Sequence, residues 1–282
     1  MASEPAPVRL GTWPTPLDPA PRLSEAVGLG PDGLWIKRDD LIGLGGGGNK
    51  VRKLQWTCAQ ALASGARTLV TSGAPQSNHA RLTAAAGARL ALDVVLVLAG
   101  RRPAVIPFGG STPLTTDAYL EVSREILSQG VDPDHVVVAV GSGATMAGLV
   151  RGFGAKHVLG VHCGAVADPH HTVRALFPDH DPAPASLRIR MDQVGAGYGR
   201  VTPDVFAALT LAARTEGIVF DPVYTGRALA GLIAEVNDGS IDPQSTVVLM
   251  HTGGLPGLLA VPSSSVNCTT LGDLKPHVIR CS

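Results

Sequence analysis

One lysine and three glycine turns carry the chemistry this sequence suggests. Lys37-Arg38-Asp39-Asp40-Leu41 runs into Gly45-Gly46-Gly47-Gly48-Asn49-Lys50-Val51-Arg52-Lys53. Four glycines permit backbone conformations that a side chain would strain, and they open a helix whose free N–H groups attract anions. Lys50 stands at that helix start, where the dipole disfavours the protonated amine. A lysine amine is the usual covalent partner of a carbonyl cofactor. Alone, the segment reads equally as a glycine-rich loop with solvated lysines. It is no P-loop, because the Gly-Lys-Ser/Thr ending is absent.

Gly141-Ser142-Gly143-Ala144-Thr145-Met146-Ala147-Gly148 follows an apolar run and opens another helix, a neutral cup suited to a phosphate dianion. Ser72-Gly73-Ala74-Pro75-Gln76-Ser77-Asn78-His79 leads into an Ala-rich helix. There Ser77 or Asn78 is a natural N-cap, or a donor aimed at a carboxylate or ring oxygen. His79 reads as a base or as a structural histidine. Gly195-Ala196-Gly197-Tyr198-Gly199, Asp221-Pro222-Val223-Tyr224-Thr225-Gly226 and His251-Thr252-Gly253-Gly254 lie downstream. Two of the three tyrosines thus sit beside glycine turns, where Tyr224 could stack on a flat ring or serve as an acid–base hydroxyl.

The elements that must position these groups alternate. Thr68–Thr71, Val94–Leu98, Val105–Pro107, Val136–Val140, Val158–His162 and Thr246–Met250 read as buried strands. Lys50–Ser64, Ser77–Leu90, Leu114–Ser128, Ala144–Phe153, Pro203–Glu216 and Gly226–Asn237 read as helices. This order predicts an α/β fold of mostly parallel sheet flanked by helices, with ligands at the carboxyl ends of strands. One junction breaks the pattern. Only Ala99–Ala104 joins Val94–Leu98 to Val105–Pro107, whereas a parallel crossover needs roughly a dozen residues or more. Either the two runs are antiparallel or a segment is missing there.

With 282 residues, the chain can bury one large core or two modest ones. Lys plus Arg balance Asp plus Glu at 23 each, which argues against a nucleic-acid or anionic-membrane partner. No apolar run approaches membrane-span length, and Met1–Pro21 lacks a secretory layout. Cys58, Cys163, Cys268 and Cys281 are scattered without ligand spacing, so no metal is expected. They read as free thiols of a reducing cytoplasm. The tail after Pro256 is polar and aperiodic through Ser263–Thr270.

Taken in order from Lys37-Arg38-Asp39-Asp40 to His251-Thr252-Gly253-Gly254, these segments resemble the D-cysteine desulfhydrase and 1-aminocyclopropane-1-carboxylate deaminase branch of fold-type-II pyridoxal-phosphate enzymes. Gly47-Gly48-Asn49-Lys50 with Arg52-Lys53, and Gln76-Ser77-Asn78-His79, are the specific motifs. The resemblance implies the tryptophan-synthase-β-like fold, with two open, mostly parallel twisted sheets. It divides the chain into a larger cofactor domain (1–49 and 141–282) and a smaller one (50–140). It also implies a homodimer acting on a small amino acid, with pyridoxal 5'-phosphate as cofactor.

Roles follow by resemblance. Lys50 would hold the cofactor as a Schiff base and shuttle the substrate's α-proton. Lys53, Ser142, Gly143, Ala144 and Thr145 would hold the phosphate, and Asn78 the phenolic oxygen. Ser77, with Asn78 and His79, would contact the substrate. Tyr224 would stack on the pyridine, Thr225 and Thr252 would lie at the ring, and Tyr198 would reach the substrate. The catalytic set is then Lys50, Ser77, Tyr198 and Tyr224. The deaminase carries Glu after the stacking tyrosine and lacks Thr in the late glycine turn, whereas this chain has Thr225 and Thr252. A hydroxyl stabilises a protonated pyridine less than a carboxylate does, so the ring should stay largely neutral. That favours β-elimination from D-cysteine, giving pyruvate, ammonia and hydrogen sulfide, over cyclopropane opening.

The resemblance also sharpens the short junction. Relatives carry a helix–strand–helix there, on the order of sixty residues. We expect them to be missing between Leu98 and Arg102, by deletion or by residues the numbering passes over. A deletion would strip cover from the smaller sheet and could leave a pyridoxal-phosphate-binding protein with impaired turnover.

Overall fold

The computed structural model describes residues 5–73, 77–98 and 108–255. The strands are β1 (Leu17–Pro19), β2 (Leu34–Arg38), β3 (Thr68–Gly73), β4 (Asp93–Leu98), β5 (His135–Val140), β6 (Val158–His162), β7 (Arg188–Arg190) and β8 (Val247–His251). The helices are α1 (Pro21–Ala26), α2 (Lys50–Ala63), α3 (Asn78–Leu90), α4 (Pro113–Ser128), α5 (Ala144–Phe153), α6 (Pro169–Arg174), α7 (Pro203–Glu216) and α8 (Thr225–Asn237). The six expected helices all form. β2, β7 and the short β1, α1 and α6 were not expected. The run Val105–Pro107, the link Ala99–Ala104 and the tail after Pro256 lie outside the described residues.

Six strands make one sheet in the order β1-β2-β8-β5-β6-β7, with only β1 antiparallel. Strands β6 and β8 are buried at every position, as continuous apolar strands covered on both faces must be. Alternate residues serve opposite layers. Ile36, Val137, Val161 and Leu249 pack with Leu23 of α1, Val205, Ala208 and Ala212 of α7, and Leu229 and Leu232 of α8. Val136, Val138, Val158, Val248 and Met250 pack with Tyr119, Val122 and Ile126 of α4 and Met146 and Leu149 of α5. Strand β5 is thus an inner strand of the large sheet, and α4 packs beside it. Residues 113–140 therefore pack with the larger sheet.

β3 and β4 form a separate parallel pair, with α3 as the crossover between them. Val51, Leu54 and Cys58 of α2 meet Leu69 of β3 and Leu82 and Ala86 of α3. Val95 of β4 is 49% exposed.

A buried ionic network ties α2 to the large sheet. Arg52 donates to Asp39 at 2.8 Å and to Glu125 at 2.9 Å. Tyr119 donates to the other Asp39 oxygen at 2.7 Å, and Lys37 pairs with Glu125 at 2.5 Å. Asp39 and Lys37 have no exposed surface. The Lys37–Asp40 motif, which opens the family-like pattern, thus holds the frame and does not face the site.

Candidate active site

The carboxyl ends of β2, β5, β6 and β8 converge on Lys50, because the parallel sheet brings the turns after Arg38, Val140, His162 and His251 to one end. The glycine loop reaches it by close backbone passage. A Cβ on Gly47, at φ +72°, would stand 1.8 Å from the Asp40 carbonyl oxygen. A Cβ on Gly253 would stand 2.7 Å from Gly48 Cα. Only glycine fits either position. The Asn49 N–H donates to the Thr252 carbonyl at 3.0 Å, which fastens this loop to the turn after β8.

Lys50 Nζ donates to Asn49 Oδ1 at 2.9 Å, and Asn49 Nδ2 donates to Thr145 Oγ1 at 3.2 Å. The amine is therefore linked through Asn49 to the first turn of α5. Burial pushes the Lys50 amine down to about 8, partly opposed by Asp221. Lys53, one turn on, is 1% exposed. Its amine donates to Ser111 Oγ at 3.2 Å, and Ser111 donates to Ser142 Oγ at 2.7 Å. Burial, then the charge of Lys50, holds Lys53 well below the ordinary lysine range. Gly143 caps α5 at φ +92° with no side-chain acceptor for its first N–H groups, while Ala144 and Thr145 are buried in the first turn. An amine with no carboxylate partner among the described residues, two serines and an uncapped helix start together make an anion site.

The smaller sheet delivers α3 to the same place. The Ser77 hydroxyl caps the helix, accepting from Ala80 N at 3.3 Å. Asn78 Oδ1 accepts from Arg81, which also reaches the Gly47 carbonyl at 3.3 Å. His79 is 4% exposed, and neither ring nitrogen has a partner among the described residues. Burial, then Lys50 and Lys53, lowers His79 to about 3, so its ring is neutral. A Cβ on Gly110 would stand 3.1 Å from the His79 ring, so the loop before α4 closes over it.

Tyr224 stands against Gly141, where a Cβ would meet its ring at 2.9 Å. Its hydroxyl lies 2.7 Å from that of Tyr198, with the rings edge to face at 6.2 Å. Tyr198 is 50% exposed, at the rim. Burial, then the nearby Tyr198 hydroxyl, raises the Tyr224 phenol above the ordinary range. Thr225, expected at the ring, has a buried hydroxyl that donates to Asp221 Oδ1 at 2.7 Å and accepts from Asp221 N at 2.9 Å. These bonds brace the start of α8. Asp221 is the residue that sequence reasoning passed over here, because it also accepts from the N–H groups of Val223, Tyr224 and Thr225. Thr252 is 8% exposed on the turn after β8. Ser111 and Asn49 were likewise missed as site residues.

A cleft of about 410 Å³ lined by Asp134, His135, Lys156 and His157 lies at the amino ends of β5 and β6, opposite Lys50. Among the described residues there is no cluster of three or more metal-type side chains, and no helix long and apolar enough to cross a membrane. Cys58 and Cys163 are buried free thiols, and Cys268 and Cys281 lie outside the described residues.

Residues 8–106 and 100–253 match the family described as pyridoxal-phosphate dependent enzyme. The chain belongs to that family. Its cofactor is pyridoxal 5'-phosphate. The chain is 36% identical to a D-cysteine desulfhydrase of Klebsiella pneumoniae (strain 342), over 88% of this chain and 93% of that protein. It is 32% identical to a putative 1-aminocyclopropane-1-carboxylate deaminase of Pyrococcus furiosus, over 89% and 92%. A crystal structure of an ACC deaminase homologue superposes with a TM-score of 0.78 at 31% identity, covering 91% of this chain and 94% of that one.

The Klebsiella alignment spans 309 positions yet takes in 88% of 282 residues, about 248. About 60 positions therefore have no counterpart in this chain. The two pieces of the family match meet at 100–106, the junction where crossover geometry required a longer segment.

The site fits the family's cofactor. Lys53, Ser142 and the start of α5 suit its phosphate, Lys50 offers a low-pKa amine, and Tyr224 offers a ring face.

Proposed function

We propose that this protein is a lyase that eliminates the β-substituent of D-cysteine or a similar D-amino acid. With water, D-cysteine gives pyruvate, ammonia and hydrogen sulfide. Pyridoxal phosphate supplies the electron sink for the pair left when the α-proton departs. Lys50 Nζ anchors the cofactor and takes that proton. An amine with a pKa near 8 is partly neutral at physiological pH, as a base must be. Lys53, Ser142, Gly143, Ala144 and Thr145 hold the phosphate. Asn78 bonds the phenolic oxygen, and Ser77, Asn78 and His79 receive the substrate. Tyr224 stacks on the ring, and the Tyr198–Tyr224 hydroxyl pair supplies a proton to the departing thiolate.

One observation carries the choice of reaction. The position after Tyr224 is Thr225, a hydroxyl bonded to Asp221 and not a carboxylate, and in this reading Thr252 is the neutral partner of the pyridine. A weakly stabilised pyridine suits a good leaving group better than ring opening. The similarity to the Klebsiella desulfhydrase supports the same reading.

The test is 2-oxo acid release by the purified, cofactor-loaded protein from D-cysteine, L-cysteine and 1-aminocyclopropane-1-carboxylate. Turnover of D-cysteine above the others is expected. Preference for the cyclopropane acid would replace this reading with the deaminase. A second reading, a cofactor-binding protein with impaired turnover, is favoured by the roughly 60 positions without counterpart. Visible cofactor absorbance with no turnover of any of the three would establish it. A division into a larger cofactor domain and a smaller domain, homodimeric assembly and a cytoplasmic site of action complete the proposal.

A further inference from the structure

The loop that carries Tyr198 is held from beneath by one arginine. Arg227 lies three residues after Tyr224 on α8, on the adjacent turn. It is the largest fully buried side chain among the described residues. None of its nitrogens meets a carboxylate there. Instead Nη1 donates to the carbonyls of Gln193 at 2.7 Å and Val194 at 2.8 Å. Nη2 donates to those of Gly197 at 3.3 Å and Arg200 at 2.5 Å. Both terminal nitrogens thus grip a single stretch, Gln193–Arg200. That stretch has little stiffness of its own, since Gly195, Gly197 and Gly199 take φ of +62°, +133° and +75°. Ala196 and Tyr198 through Arg200 are exposed.

Burying a guanidinium with only neutral acceptors is unfavourable compared with an apolar side chain of similar volume. Filling space therefore does not explain it. A planar, pre-organised fork that fixes four carbonyls at once does what an apolar residue cannot. We infer that Arg227 is a positioning residue, which holds the Tyr198 hydroxyl against that of Tyr224 and so sets the acid–base pair on the substrate side of the site. This rests on the roles proposed for the two tyrosines, while the loop geometry stands without them.

The test uses Arg227→Gln, Arg227→Lys and Tyr198→Phe in the cofactor-loaded protein, with the double variant Arg227→Gln/Tyr198→Phe. Arg227→Gln should keep the visible cofactor absorbance and lower kcat by about tenfold or more, the scale of a lost charge-assisted hydrogen bond. KM should change less than kcat, and Arg227→Lys should recover part of the loss. In the Tyr198→Phe background the Arg227→Gln effect should vanish, because the arginine acts through that hydroxyl. An equal loss in both backgrounds would overturn the inference. So would loss of cofactor and fold in both the Gln and the Lys variants, which would make Arg227 a brace of the core.

Trypsin gives a readout independent of the reaction. Cleavage after the exposed Arg200 should accelerate roughly tenfold in Arg227→Gln as the loop opens. An unchanged rate would refute the inference. If the wild type turns over none of the candidate substrates while this acceleration holds, the proposed activity fails and the loop-holding role survives.

Discussion

Replacing Lys50 by Met should make the cofactor-free protein more stable at neutral pH. Burial lowers the Lys50 amine from 10.5 to about 8. Each pKa unit is worth about 1.4 kcal/mol, so keeping this amine buried costs about 3 kcal/mol below pH 8. Methionine avoids that cost but forfeits the bond to Asn49 Oδ1, worth about 1 kcal/mol. The net gain is about 2 kcal/mol. The pH dependence identifies the cause. Between about pH 8 and 10.5 the unfolded amine keeps a proton that the folded one releases, so wild-type stability rises through that window. The variant lacks this rise of about 3 kcal/mol, so its advantage should vanish within the window and reverse by about 1 kcal/mol, the lost Asn49 bond, near the upper end. Urea unfolding of both cofactor-free proteins at pH 7, 8.5 and 10 measures it. A variant less stable at pH 7, or a difference that does not change with pH, would refute the reasoning.

Three further substitutions probe the frame and the anion site. Ser111→Ala should weaken pyridoxal phosphate binding about tenfold, by loss of a bond to the Lys53 amine, and leave binding of unphosphorylated pyridoxal unchanged in equilibrium titrations. Gly47→Ala should destabilise by at least about 2 kcal/mol and abolish cofactor uptake, since its Cβ would overlap the Asp40 carbonyl. Asp39→Ala should cost about 3–5 kcal/mol in denaturant unfolding, because it strips a buried partner from Arg52 and an acceptor from Tyr119.

What the sequence made legible was local. The Gly45–Lys53 and Gly141–Gly148 segments could be read because a glycine run marks where a backbone must pass close or open a helix. The apolar runs of β5, β6 and β8 could be read because an inner parallel strand has no polar side. Strand β2 escaped because its buried Lys37 and half-buried Arg38 are satisfied by Glu125 and Asp18, which no local pattern links to them, as well as by Asp40. Ser111 and Arg227 escaped for the same reason, since each acts through space on a group far along the chain or on backbone carbonyls, whereas Asp221 caps the residues just after it. The place of Thr225 after Tyr224 suggests the ring, and its bond to Asp221 is a contact which that place does not reveal.

The central claim is that Lys50 is the covalent anchor of the cofactor. Titrating wild type and Lys50→Ala with pyridoxal phosphate, and recording visible absorbance before and after borohydride reduction, tests it most directly. The wild type should develop the absorbance and, once reduced and digested, carry the added mass on the peptide containing Lys50, while Lys50→Ala does neither. A Lys50→Ala protein that gains the same absorbance, or a label found on Lys53 in the wild type, would contradict it.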